Sequence, residues 1–379
     1  MSQAAFDVIV IGAGGMGSAA AFELARRGRS VLALEQFPLV HDLGSSHGQT
    51  RIIRRAYYEH PAYVPLVRRA FERWYDLEQR TGRHLLTECG CLSIGTPEGE
   101  VVTGVLASAR EHSLAVELFN AAALRGRYPQ FRVPPDCAGA FERDAGFLYV
   151  EECVRAHLAE ARRLGASIQA EEAVTDWNSD GRSVTVTTTR GVYRSAALVV
   201  AAGPWAGHLL ARFGAPLRVM RQTMLWFGTE DDCQFRRDVF PIFLVDAPDG
   251  PFYGLPAIDC RGLKVARHYG APELVHPDEI DRAVYPTDEP PVRRFLDAYL
   301  PAVNGPLRYG QTCIYTLTPD RHFVIDLHPE HGNVAVAAGF SGHGFKFSSV
   351  VGEVLADLVD MGRTAWPIGM FGFARFSGG

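Results

Sequence analysis

No apolar run in this 379-residue chain approaches the roughly 20 residues needed to span a bilayer. Charge of a single sign is missing too: 38 basic residues stand among 43 acidic ones, interspersed, for a net charge of −5. Such a chain has no electrostatic footprint for nucleic acid or an anionic membrane, so a small-molecule partner is expected. The apolar start, Phe6 to Ile11, lacks a basic flank and runs straight into glycines, unlike a signal peptide. The last residues, Phe376-Ser377-Gly378-Gly379, are not a peroxisomal address, and a cytoplasmic enzyme is expected. Cysteine provides no framework. Seven is an odd count, and Cys89 and Cys91 stand too close together, with no second pair, for the usual zinc site. No metal is expected. Internal repeats and low-complexity segments are absent as well.

What is present begins with a buried strand, Asp7 to Ile11, then Gly12-Ala13-Gly14-Gly15-Met16-Gly17 and a helix from about Gly15 to Arg27. A second apolar run, Val31 to Leu34, ends at Glu35, completing a βαβ unit. Pro61 and Gly82 bracket an amphipathic helix whose apolar face includes Tyr63, Leu66, Val67, Ala70, Phe71, Trp74 and Leu77. Ser183 to Thr189 reads as a strand, Gly191 to Tyr193 as the return limb of a hairpin, and Ala197 to Ala201 as a buried strand broken by Gly203 and Pro204. From about 216 to 305 the chain is richer in proline and acidic residues, which points to a second domain inserted into the first. Val334 to Ala338 reads as another buried strand, followed by a glycine-rich turn and a helix from about Ser348 to Val359.

The glycine run matches the GxGxxG pattern in the context that gives it meaning: after a strand, opening a helix, with an acidic residue closing the next strand. Gly12 permits the tight turn, Gly14 lets backbone approach a pyrophosphate, and Gly17 lets the helix pack against the sheet. Glu35 is placed to hydrogen-bond ribose hydroxyls. The pattern does not separate NAD from FAD. Its position at the start of the chain, with a second strand-glycine element from Leu198 to Gly203 much later, leans toward FAD.

Three further segments complete a recognisable set: Gly44-Ser45-Ser46-His47-Gly48-Gln49-Thr50-Arg51-Ile52-Ile53-Arg54; Gly262-Leu263-Lys264 with His268; and Cys313 to Asp320 continuing to Gly339-Phe340-Ser341-Gly342-His343-Gly344-Phe345-Lys346. With these the chain resembles, over essentially its whole length, the monomeric sarcosine oxidase and N-methyltryptophan oxidase family within the D-amino-acid-oxidase-like flavoproteins. The resemblance implies an α/β architecture. A Rossmann-like FAD-binding domain (1–85, 141–215 and 306–379) would carry an inserted mixed β-sheet substrate domain of α+β type (86–140 and 216–305). It implies FAD held as a thioether on Cys313, with cofactor contacts from Ser45, His47, Arg51, Val174, Gly203, Gly342, Gly344 and Lys346 in addition to Gly12, Gly14, Gly17 and Glu35.

For the substrate, the resemblance makes Arg54 and Lys346 the cations that hold a carboxylate, with Tyr253, His268 and His343 around the cavity. Lys264 becomes the fixed charge that favours reduction of O2. Phe243, Leu244, Val245, Tyr57, Tyr58 and Tyr315 are expected to shape the pocket, and Glu59 to lie near its entrance. The neighbours of Glu59, Tyr58 and His60, depart from the sarcosine oxidase pattern, which leaves the preference for a small substrate open. The activity implied is oxidation of the C–N bond of a secondary amino acid, with no side chain assigned as a dedicated base and a monomer acting alone. An oxidase of a cyclic secondary amino acid, and a dehydrogenase passing electrons to a carrier, share these residues and stay open. So do an NAD-dependent dehydrogenase and a flavin-binding protein without catalysis, although a mere scaffold has no use for the cation pair and Lys264.

Overall fold

A computed structural model describes residues 5–210, 216–274 and 276–376. Residues 1–4, 211–215, 275 and 377–379 lie outside it, and with them the expected domain ends at 1, 215 and 379 and the residues Ser377-Gly378-Gly379. Among the described residues the strands form three sheets.

The first sheet is built on Ala5–Ile11, flanked in parallel by Val31–Leu34 and Val192–Val200. Ser167–Gln169 extends it in parallel on one side, and His331–Ala338 joins Val192–Val200 in parallel on the other. These inner strands read as continuous apolar runs because helices cover the sheet. The Gly15–Arg26 helix is buried almost all round, with Ala19, Ala20 and Ala21 at 0% exposure. Its small side chains let Val150–Arg163 and Ser348–Met361 pack closely against it. Glu23 is buried in this contact and is matched by ion pairs to Arg26 and Arg73, as a buried carboxylate requires. The Pro61–Gly82 segment opens with a short 3-10 turn, runs as a helix over Val64–Thr81, and stops at Gly82 in the left-handed region (φ 65°).

One strand differs from the expectation. Gly191 to Tyr193 and Ala197 to Ala201, read as two elements, form a single strand, Val192–Val200. Its first half pairs antiparallel with Val184–Thr188, and its second half pairs parallel inside the sheet.

The second sheet has nine strands and is mixed. Arg218–Phe227 pairs with Leu263–Arg267 and, along nearly its whole length, with Leu307–Leu317. Gly250–Leu255, Ile242–Ala247, Cys91–Gly95, Ala138–Glu142 and Glu117–Asn120 continue the sheet. An aromatic core of Phe131, Phe240, Phe243, Phe252 and Phe295 fills one of its faces, with rings stacked or edge-on. A three-stranded sheet (Thr50–Ile53, Leu86–Glu88 and Gly146–Tyr149) lies between the two larger ones in chain order. Among the described residues no helix is long and apolar enough to cross a membrane.

Candidate active site

The glycine turn is as tight as its sequence demands. Gly12 sits at φ +92°, where a Cβ would run into the Ala201 carbonyl, and a Cβ on Gly17 would run into the Gly12 carbonyl. Gly17 therefore serves the helix–strand contact and does not line the cleft, whereas Gly12 and Gly14 do. Glu35 closes the second strand with both carboxylate oxygens engaged. Ala13 N–H donates to Oε2 at 2.9 Å and Phe37 N–H to Oε1 at 3.1 Å. From Glu35 and Val174 a long cleft passes Gly12, Gly14 and Gly203 and ends among Ser45, Arg51, Cys313, Gly342 and Gly344.

At this far end Cys313 is 2% exposed and its sulfur lies 3.3 Å from Arg51 Nη2, which also donates to the Ser45 carbonyl at 3.1 Å. Burial alone would raise the thiol. Arg51 foremost, then His47, outweighs it and brings Cys313 down to about 6, so the thiolate is well populated at neutral pH. His47 lies behind the cleft wall, with Nε2 against the Gly44 carbonyl at 3.1 Å and the ring beside the Cys313 thiol that it helps to lower. The glycine turn whose backbone leaves no room for a Cβ, the acidic strand end and the low thiol fit a flavin dinucleotide running the length of the cleft. Ser46, whose role no motif marks, accepts a hydrogen bond from Gly15 N–H at 3.0 Å and ties the Gly44–Arg54 segment to the start of the helix.

A second, smaller cavity of about 60 Å³ shares Arg51, Gly342 and Phe345 with the cleft. Arg54, Glu59, His268, His343, Lys346 and Tyr253 line it, with Tyr58 and Leu244. Lys346 thus belongs to this cavity and not to the dinucleotide cleft where it was also expected. Arg54 is 3% exposed, donates to the Ala56 carbonyl at 2.7 Å, and forms a 2.6 Å ion pair with Glu59. Burial opposes ionisation of Glu59, but Arg54 foremost, then His343 and Lys346, holds its carboxyl down at about 2. Lys346 donates to the His343 carbonyl at 2.6 Å and to the Tyr57 hydroxyl at 3.2 Å. Burial first, and Arg54 next, lowers it to about 7. Burial likewise lowers His268 to about 3 and His343 to about 4, so both imidazoles are neutral. His343 Nε2 faces the Arg321 carbonyl at 3.1 Å and so carries the proton, which leaves Nδ1 to accept from Tyr57 at 2.6 Å.

Of the expected pocket shapers, Leu244 and Tyr58 reach this cavity and Tyr315 borders the dinucleotide cleft. Phe243 and Val245 do not. They alternate with Leu244 along the strand and point into the aromatic core. Tyr57 is fully buried beneath the cavity and acts through its hydroxyl.

Lys264 lines neither space. It is 1% exposed, donates to the carbonyls of Gly48 at 2.7 Å and Thr50 at 3.0 Å, and stands 5.0 Å over the Trp226 ring. Trp226 and Met224 pack on Cys313, which puts Lys264 behind the reactive end of the cleft. Burial foremost, then Arg51, pushes Lys264 well below the ordinary lysine range. Trp226 carries no motif of its own and was not singled out; its place follows from the pairing of Arg218–Phe227 with Leu307–Leu317.

Residues 7–358 match the family model described as FAD dependent oxidoreductase. The chain belongs to this FAD-dependent oxidoreductase family. It is 44% identical over 380 residues to monomeric sarcosine oxidase of Bacillus sp. (strain B-0618), covering 98% of this chain and 96% of that one. It is 35% identical over 375 residues to N-methyl-L-tryptophan oxidase of Salmonella typhimurium, covering 98% and 99%. Among solved structures, NikD, an unusual amino acid oxidase essential for nikkomycin biosynthesis, superposes with a TM-score of 0.84 at 27% identity, covering 97% of both chains. L-proline dehydrogenase from P. horikoshii has the same fold (TM-score 0.86, 22% identity, covering 99% of this chain and 98% of that one). FAD is accordingly the dinucleotide of this family member.

Proposed function

We propose that the chain oxidises the C–N bond of sarcosine or another N-methyl amino acid, with O2 as acceptor, giving formaldehyde, the demethylated amino acid and H2O2. The observation that carries this reading is the pair of buried cations, Arg54 and Lys346, in a small cavity that opens onto the flavin cleft. The guanidinium and the compact ammonium both attract a carboxylate, so the pair fixes one end of an amino acid and leaves its amine toward the cleft. Most of the help is then positioning. Tyr253, His268 and Leu244 form walls, and oxidation proceeds from the uncharged amine. FAD, when bound, supplies the two-electron acceptor. In this reading Cys313 carries it covalently, supported by a thiol that Arg51 and His47 lower, and Lys264 serves the oxygen step through its amino group.

The sequence relatives named sarcosine and N-methyl-L-tryptophan oxidase support this substrate class. The name monomeric sarcosine oxidase supports action as a monomer, and we place the protein in the cytoplasm. Anaerobic mixing with a panel of N-methyl and cyclic amino acids tests the reading. An N-methyl amino acid should bleach the oxidised flavin absorbance, and readmitted air should restore it with release of H2O2. Bleaching by cyclic amino acids alone, or reoxidation only by an added carrier, would overturn it.

A further inference from the structure

The chain has 38 basic residues, of which only two, Lys264 and Lys346, are lysines; the other 36 are arginines. Both lysines are buried at the candidate active site. A compact ammonium fits between two carbonyl oxygens where a planar guanidinium does not. For Lys264 those oxygens belong to Gly48 and Thr50, on the turn that leads into the Thr50–Ile53 strand.

This turn is strained. Gly48 lies at φ +87°, and Gln49, which is not a glycine, at φ +72°. Consecutive left-handed residues bring the carbonyls of Gly48 and Thr50 round to the same ammonium. The conformation needs an outside hold, and Glu151 provides it. One carboxylate oxygen, Oε1, accepts both Gly48 N–H at 2.8 Å and Gln49 N–H at 3.1 Å. The neighbouring Val150 N–H donates to the Gln49 carbonyl at 3.0 Å, so the first turn of the Val150–Arg163 helix grips three backbone groups. The Gln49 side chain adds a strap, donating to Asp259 at 2.6 Å and accepting from Trp226 Nε1 at 3.1 Å.

We propose that Glu151 is a positioning residue for the oxygen half of the reaction: it fixes the 48–50 turn whose carbonyls aim Lys264, and it touches neither substrate nor flavin. The proposal rests on the reading of Lys264 given above. It predicts that what matters at position 151 is an oxygen acceptor at the right reach, not a negative charge.

Two variants separate these. Glu151→Gln keeps an oxygen at the same reach and removes the charge; Glu151→Asp keeps the charge and draws the oxygen back by one methylene. The rate constant for reoxidation of reduced holoenzyme by O2 should fall about tenfold in Glu151→Asp, the size expected for one misplaced polar contact at a reacting centre. It should change less than about twofold in Glu151→Gln, and anaerobic reduction by sarcosine should be unaltered in both. A second readout is independent of turnover. Holoenzyme labelled with 13C at lysine Cε gives two lysine signals, and only that of Lys264 should move in Glu151→Asp, while both stay in place in Glu151→Gln. An unmoved Lys264 signal in Glu151→Asp, or a slowed oxygen step in Glu151→Gln with Glu151→Asp unaffected, overturns the proposal. A displaced Lys264 signal with unchanged reoxidation supports the hold by Glu151 and instead overturns the oxygen role given to Lys264.

Discussion

An incoming carboxylate meets Arg54 already engaged, with Glu59 on one nitrogen at 2.6 Å and the Ala56 carbonyl on another at 2.7 Å. Lys346 is engaged only by a carbonyl and a hydroxyl, neither of them charged. Lys346 is therefore the cation whose charge an anion can claim without displacing another anion. Its value near 7, set by burial first and Arg54 next, makes that charge depend on pH. The sign is fixed: the ammonium form dominates below about 7 and is lost as pH rises through it. Propionate, a carboxylate without an amine, isolates the effect from titration of the substrate. Its dissociation constant, read from the shift it causes in the flavin spectrum, should rise about fivefold over the pH unit above the Lys346 value and about tenfold over the next. In Lys346→Arg the guanidinium stays charged and this dependence should vanish. A wild-type affinity flat across neutral pH would remove Lys346 from the carboxylate site.

Among the elements, the Gly15–Arg26 and Ser348–Met361 helices cross so closely that a Cβ on Gly352 would lie 2.6 Å from the backbone carbon of Ala19. The three atoms it would meet are the backbone carbon and oxygen and the buried methyl of Ala19, so nothing flexible can give way. Gly352→Ala should cost about 1–3 kcal/mol of stability by overpacking, and the shift of the first helix should loosen FAD at its N-terminus. Thermal unfolding would show the first effect and the visible flavin spectrum of the folded holoenzyme the second; an unchanged midpoint would mean that the crossing yields without cost. The sequence made this helix plain, because its glycines and alanines are local signals. Val192–Val200 was harder. Its exposure alternates from Val192 to Ala196 and then stays buried to Val200, because the strand passes from the antiparallel edge formed with Val184–Thr188 and Val174–Ser179 into the covered parallel sheet. A periodicity that changes within one strand reads as two strands.

Across the whole molecule, the same distinction governs the site. Gly12, Gly14 and Glu35 lie on one βαβ unit, so motif and spacing reveal them, whereas Arg54 and Glu59, five residues apart, were expected only from the family resemblance. Glu151 and Trp226 reach the 48–49 turn from 103 and 177 residues away, and no local pattern marks them. Cys313 shows how far the site depends on distant pairing. Its strand belongs to the second sheet, yet its sulfur closes a cleft whose other end is Glu35 in the first. A flavin spanning that cleft ties the two sheets together, and its mode of attachment decides how stability responds to free cofactor. If the link is covalent, free FAD cannot add to a site already filled in every folded molecule, and the wild-type melting temperature should not depend on added FAD. Cys313→Ser removes the link but leaves the glycine turn, Glu35 and Arg51. Its melting temperature should then climb with FAD concentration, by an amount equivalent to about 2.7 kcal/mol when free FAD is about 100 times the dissociation constant. Acid precipitation supplies the companion observation, with yellow colour pelleting with the wild type and remaining in solution with Cys313→Ser. A wild-type melting temperature that rises with FAD, together with a yellow supernatant, would show a dissociable flavin. The thiol that Arg51 and His47 lower would then form no bond to the flavin.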